Sequence, residues 1–329
     1  MAAVCGLVLS AQAAAVPDLR AAEARYTGKP KTIAHDFLEM EKEFGAGAEE
    51  AAAVDRLINK AIPRIAVRKT YTTEEAVEIL HAIDVLLREE GFIFKNNFLL
   101  SAGLKKKRID CDNYCALYIA VAEVLKLPII PVYAPNHSFL RFCFDDGSYI
   151  DWETTQGKVQ TDSYYIKELR IPEASIRAGV YMANLTRREF HGVGFNNIGA
   201  HLMSARRFGE AAPYFSAAIA SYPRFSSAYH NRSTAHYAVK RLNEALADLL
   251  RANELDPSRA STHNTLGDIY FDLRDYDRAV TEYTESIRLD PDNCVPYYSI
   301  GLVMRAQKRE AEAQRWLKKS REVKNKRGG

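Results

Sequence analysis

Apolar residues recur at helical spacing through most of the chain, and one central stretch breaks the rule. Residues 16–70 carry helix-like runs, 48–61 the clearest, and Pro63 ends that one. Thr72 with Glu75 forms a capping box ahead of AVEILHAIDVLLREEG, where Gly91 closes the helix. Residues 110–127, DCDNYCALYIAVAEVLKL, predict a second amphipathic helix stopped by Pro128. The period then shortens. PIIPVYA, SFLRFCF and SYIDWETT are short β-rich runs, the last two joined across Asp145-Asp146-Gly147. A helix feeding a small antiparallel sheet predicts an α+β unit.

Downstream, the helical period returns inside a longer one. Pro223, Pro257 and Pro291 are spaced by 34 residues, and each ends a helical pattern. Frames therefore start at 192, 226, 260 and 294. The first carries Phe195, Ile198, Gly199, Leu202, Ala211, Phe215, Ala218 and Pro223. The third repeats this with Leu266, Gly267, Tyr270, Ala279, Tyr283 and Pro291. The second keeps Tyr229, Ala245, Leu249, Ala252 and Pro257 but has Ser233 at the glycine position. The fourth keeps Tyr297, Ile300, Gly301, Ala313 and Leu317. Small residues let two helices approach, aromatics fill the gap and proline stops the second helix.

This spacing resembles four tetratricopeptide (TPR) repeats over 192–225, 226–259, 260–293 and 294–327, an all-α helix-pair solenoid. Such stacks form a concave groove for peptide segments. The positions expected to face it are Asn196, Met203, His230, Tyr237, Asn264, Asp268, Phe271 and Arg305. They are mixed polar and aromatic, without the Lys/Arg set that clamps a terminal carboxylate in some chaperone-binding arrays. A protein or peptide partner is expected. The basic end from 318, KKSREVKNKR, reads as a solubilising cap.

Composition narrows the rest. The 329 residues suggest two domains, and 47% hydrophobic with 26% charged residues is the balance of a folded protein. A net charge of +3 is too even to point to nucleic acid or an anionic membrane as the main partner. No apolar run is long enough for a membrane span. Five cysteines without zinc-finger spacing exclude a disulfide scaffold, and neither a metal nor a cofactor is expected. Residues 1–15 are apolar and Ala-rich, with Ala11-Gln12-Ala13 as a small-x-small cleavage site but no preceding Lys or Arg. Export to the periplasm is the expectation, a cytoplasmic location the alternative. The expected order is this possible signal peptide, a helical segment over 16–70, a core over 71–190 and the repeats.

The core holds candidate chemistry. Cys111 falls on the first turn of a helix, where unpaired N–H groups and the dipole favour a thiolate. His137 is the one histidine between 82 and 190, at the head of a strand in APNHSFLRF. A carboxylate follows in YIDWETT. Cysteine, histidine and acid in this order suit a thiol nucleophile with an oriented base. Cys115, one turn deeper, reads as a small buried hydrophobe.

DCDNYCALYIAVAEVLKLP resembles the nucleophile helix of the transglutaminase-like superfamily, papain-like thiol enzymes of which bacterial members often carry TPR repeats. Cys111, Tyr114, Leu117, Ala120, Ala122, Leu125, Leu127 and Pro128 fall on its pattern without a gap, with Cys115 and Lys126 as departures. PNHSFLRF is similar to its histidine strand and DGSYIDWETT to its acid strand. The resemblance implies a Cys-dependent amide hydrolase or acyltransferase working through a thioester. Cys111 would attack, His137 would move the proton and an acid would fix the imidazole. The family's Asp in an I-D-P-like context favours Asp151 as that acid. A three-residue loop over 145–147 pairs residues whose numbers sum to 292, which places Glu153 diagonal to His137 and favours Glu153. Both stay open. The alternative is a TPR interaction scaffold whose core is catalytically silent.

Overall fold

The computed structural model describes residues 25–327, so the signal-like segment and Cys5 lie outside the described residues. Three helices come first: α1 (Ile33–Met40), α2 (Ala48–Ala61) and α3 (Thr73–Glu89). The expected capping box starts α3, with Glu75 N donating to Thr72 Oγ1 at 3.3 Å and Thr72 N to Glu75 Oε2 at 2.9 Å. Gly91, at φ 82°, ends it in the left-handed region. A two-residue parallel pair, β1 (Ile93–Phe94) and β2 (Arg108–Ile109), brackets the short α4 (Leu100–Lys106).

α5 (Cys111–Leu125) follows, capped by Asp110, whose Oδ1 accepts from Asn113 N at 3.0 Å. Every residue from Asn113 to Ala122 is buried, so α5 is enclosed all round rather than amphipathic. The reason is its position between α1 and α2 on one side and the main sheet on the other. That sheet is antiparallel in the order β3 (Ile129–Ala134), β4 (His137–Cys143), β5 (Tyr149–Glu153) and β6 (Lys158–Gln160). Arg141 pairs with Asp151 and Phe142 with Ile150, the register expected from the 145–147 loop. Gly147, at φ 85°, makes that loop possible. β6 was not foreseen, because three residues after a glycine are too few to show a period.

Gly157 closes the β5–β6 turn at φ 66°, and a Cβ there would sit 2.6 Å from the Asp84 carboxylate on α3. Trp152 packs into the core beside this point, its Nε1 donating to Tyr118 Oη at 3.1 Å. It fills the sheet rather than a pocket. Beyond α6 (Asp162–Glu168) and α7 (Glu173–Arg177) come eight antiparallel helices in four pairs. These are α8 (Arg187–Ser204) with α9 (Phe208–Ser221), α10 (Ser226–Ala238) with α11 (Leu242–Leu255), α12 (Ala260–Asp272) with α13 (Tyr276–Leu289), and α14 (Cys294–Ala306) with α15 (Glu310–Arg327). One cluster of buried side chains runs from Tyr26 through the sheet to Ala228. Packing therefore joins residues 25–70, the sheet and the first helix pair, with no gap at 70 or 190.

The repeat glycines show why the pattern has its period. A Cβ at Gly199 would meet the Phe215 ring at 2.5 Å, one at Gly267 the Tyr283 ring at 2.5 Å, and one at Gly301 Leu317 at 2.9 Å. Each glycine lets the aromatic or leucine of its partner helix seat against backbone. Ser233 takes that position in the second pair and is buried, its hydroxyl donating to His230 O at 2.6 Å. Gly267→Ala is expected to cost about 1–3 kcal/mol through overpacking, read as a lower urea midpoint at unchanged m-value. A midpoint equal to wild type would mean the ring moves aside freely.

Candidate functional site

Cys111 opens α5 as expected and is half-buried, while Cys115 is fully buried one turn on. The thiol donates to Asp112 Oδ1 at 3.9 Å, and Asp112 Oδ2 accepts from Asn197 Nδ2 on α8 at 3.0 Å. Burial, then the Asp112 and Asp110 carboxylates, push the Cys111 thiol well up, against a small opposing pull from Ser138 N–H. This opposes the thiolate expected at a helix start. The dipole contributes only about 0.3–1 kcal/mol, and burial together with the acids beside Cys111 works against it. Each of these favours the protonated thiol.

His137 heads β4, and its Nε2 lies 2.6 Å from Glu153 Oε2. Glu153 is held from three further directions: Thr155 N at 3.0 Å, Thr155 Oγ1 at 2.5 Å and Tyr165 Oη at 3.3 Å. The Tyr165 ring stacks on Phe139 at 3.8 Å, which fixes its hydroxyl. Burial works to raise the Glu153 carboxyl, but His137 and the Thr155 donors outweigh it and hold it below its ordinary value.

Asp151 is elsewhere. It faces its cross-strand partner Arg141 in a two-pronged ion pair, Nε to Oδ1 at 2.7 Å and Nη2 to Oδ2 at 3.1 Å. Arg141 also donates to Asp162 Oδ1 and Asn184 Oδ1, each at 3.1 Å. Of the two open candidates, Asp151 as partner of the imidazole is thus corrected: Glu153 holds that position and Asp151 anchors the sheet. The family context misled. The register was the better guide, since it already put Arg141 opposite Asp151. Asp112, Asn197, Thr155 and Tyr165 were missed. Thr155 was visible as the residue opposite His137, whereas Asn197 and Tyr165 reach the site only through tertiary packing.

Because its folded-state pKa is depressed, Glu153 contributes stability present above its unfolded value of about 4.3 and lost as pH falls through the folded value. Glu153→Gln is expected to flatten the acid limb of stability below about pH 4.3. Urea midpoints from pH 3 to 7 in the two proteins would show it. Identical acid limbs would remove Glu153 from this role.

Among the groove candidates, Asn196 Oδ1 accepts from Asn231 Nδ2 at 2.9 Å, and His230 Nδ1 lies 3.2 Å from Thr262 Oγ1. Tyr237 Oη donates to Asp272 at 3.1 Å, and Asn264 Nδ2 to Asp268 at 3.4 Å. Met203 packs on the Leu202–Phe215 cluster. Phe271 meets Tyr276 at 5.9 Å and Arg305 faces Glu310 at 3.7 Å, so both are engaged at the turn within their own helix pair. Burial and the nearby Arg259 lower His230 to about 4, which keeps it neutral. No grouping of potential metal ligands occurs among the described residues.

Comparison with known proteins identifies part of the repeat region. A tetratricopeptide repeat model matches residues 226–259, the bounds of the second frame, and a TPR repeat model matches 267–308. The chain carries TPR repeats. Over 95 residues it is 40% identical to the Hsp70-Hsp90 organizing protein of Triticum aestivum, covering 29% of this chain and 16% of that one. Hsp70-Hsp90 organizing protein 1 of Glycine max is 30% identical over 95 residues, 29% of this chain and 17% of its own. The chain thus spans about a sixth of the length of these two curated relatives. Among solved structures, MamA is similar at TM-score 0.40 and 23% identity, over 42% of this chain and 80% of that chain. Among the described residues no helix is long and apolar enough to cross a membrane.

Proposed function

We propose that the protein is an interaction scaffold whose TPR array holds an extended segment of a partner protein. The observation that carries this is the row of polar side chains linking successive first helices: Asn196 to Asn231, His230 to Thr262, and Tyr237 to Asp272. Such a row offers donors and acceptors to a peptide backbone along the stack. The matched relatives are named for organizing Hsp70 and Hsp90, which fits a peptide-holding role. Peptides selected from a random library on the wild-type protein should bind an Asn196→Ala/Asn264→Ala double variant at least about tenfold more weakly, a loss of about 1.4 kcal/mol. Selected peptides that bind both proteins equally would remove the groove from the reading.

A second reading is favoured by one arrangement in the core. His137 is locked to Glu153 at 2.6 Å, one residue from the Ser138 N–H that faces the Cys111 thiol. This supports a transglutaminase-like thiol site performing acyl transfer on an amide or ester. Cys111 Sγ forms the bond to the acyl carbon, and its proton passes to His137 and on to the leaving amine or alcohol. Water or an amine then breaks the thioester. The Cys111 N–H at the helix start is the oxyanion donor this reading uses. Asn97 is not a second one, because its Nδ2 is spent on Arg108 O at 2.9 Å. Fluorogenic peptide amides and esters, with His137→Ala as control, test it. Hydrolysis indifferent to that change would leave the scaffold alone.

A further inference from the structure

Two side chains of the repeats reach into the core, one to the thiol's partner Asp112 and one to the turn that precedes His137. On α8, Asn197 Nδ2 holds Asp112 Oδ2 at 3.0 Å, and Asp112 Oδ1 receives the Cys111 thiol hydrogen. Asn196, one residue earlier, takes the hydrogen bond from Asn231 on α10, so one turn of α8 belongs both to the site and to the groove. At the start of α12, Arg259 is almost wholly buried and reaches back to the β3–β4 turn. Its Nη1 donates to Asn136 Oδ1 at 3.3 Å, and its Nη2 to Ser227 Oγ at 2.7 Å and Tyr181 Oη at 3.3 Å. Ser227 in turn lies 2.9 Å from Tyr133 Oη on β3. Asn136 stands at φ 55°, directly before His137, and Ala134 pairs with His137 across the turn. Arg259 therefore ties both sides of the turn that presents the imidazole.

We propose that the repeat array is a working part of the thiol site, supplying Asn197 and Arg259 as positioning residues, the first acting on Cys111 through Asp112 and the second on His137 through Asn136. The proposal rests on the thiol reading above. Neither residue touches the reacting atoms. Asn197 stabilises the Asp112 anion, and that anion keeps the thiol proton in place. Arg259 sets the angle at which β4 starts, and Glu153, two strand positions beyond Asp151, takes the imidazole only at that angle. The ionisable groups around the thiol are Asp110, Asp112 and Cys115 on its own segment and Tyr133 and His137 from the sheet, with Glu41 behind Asp110.

The test is the rate of iodoacetamide labelling of Cys111 in the full chain from pH 5 to 10, read by peptide mass spectrometry, with Cys294 in α14 as internal reference. Asn197→Leu deprives Asp112 of a donor, so the carboxyl takes up a proton more readily and the thiol loses a facing charge. Labelling at pH 7 should rise about threefold, half a pKa unit. Arg259→Met should move the profile in the same sense as His137→Ala, and the double variant should match His137→Ala alone. Arg232→Met, a repeat arginine paired with Asp248 instead, should leave the profile as wild type. Should Asn197→Leu or Arg259→Met fail to fold by circular dichroism, Asn197→Ala and Arg259→Lys take their places. If His137→Ala shifts the profile while the Asn197 and Arg259 variants do not, the inference falls and the thiol reading stands. If His137→Ala shifts nothing, both fall.

Discussion

Replacing Arg141 with Met is expected to cost about 3–5 kcal/mol of folding stability, the largest effect of any single change considered, because it leaves a buried carboxylate without its counter-ion. Asp151 and Arg141 are both buried, and the guanidinium spends both prongs on Asp151 before reaching Asp162, Asn184 and Met182 O. Removing the arginine strands Asp151 in an interior from which water cannot solvate it. The paired change Arg141→Met/Asp151→Leu should recover most of the loss, since two apolar residues of similar bulk escape the desolvation cost altogether. Urea unfolding of the two single variants and the double variant measures it. The contrast with Glu153 gives the result its functional meaning. Asp151→Asn should lower stability and leave the pH profile of Cys111 labelling alone, whereas Glu153→Gln should alter that profile. If instead Arg141→Met lost under about 1 kcal/mol, the pair would be behaving as a surface ion pair.

That contrast also shows what the chain made legible. The loop over 145–147 set the strand register, and the register alone placed His137 near Glu153 and Arg141 opposite Asp151. Local turn chemistry is a short-range property, so it reads correctly from a few residues. The helix start at Cys111 and the 34-residue helix pairs are local in the same way. What reads less well is what depends on how distant segments pack around a residue. α5 was expected to show one wet face, but α1, α2 and the sheet enclose it, because α1 and α2 pack into the same core as the sheet. The thiolate at Cys111 was argued from the helix dipole, a backbone property. Its surroundings work the other way, through the depth of the site first and then Asp112 and Asp110, which flank it in plain view. Adjacent acids on a solvated helix are screened and cost little; the same acids beside a half-buried thiol add to the desolvation that already disfavours its charge.

Asp112→Asn should therefore speed labelling of Cys111 at pH 7 by about tenfold, the consequence of a thiol pKa lower by one unit. The substitution keeps the shape of the side chain and can keep the contact with Asn197, while removing the anion that faces the sulfur. Desolvation remains, so the thiol stays above the ordinary range and the gain stops well short of a fully activated cysteine. Asp110→Asn is the poorer test, because Asp110 also caps α5 through Asn113 N and its loss would loosen the helix start as well. The result discriminates between two uses of the same constellation. In an acyl-transfer site the resting proton on Cys111 must leave when substrate enters, so a variant that favours the thiolate should raise reactivity toward small electrophiles and keep its dependence on His137. In a silent core the thiol is simply a buried polar atom, and removing the Asp112 charge should leave labelling slow because access rather than ionisation limits it. A tenfold gain that His137→Ala abolishes supports catalysis. A labelling rate unmoved by Asp112→Asn at every pH assigns the protein's work to the groove of the TPR array.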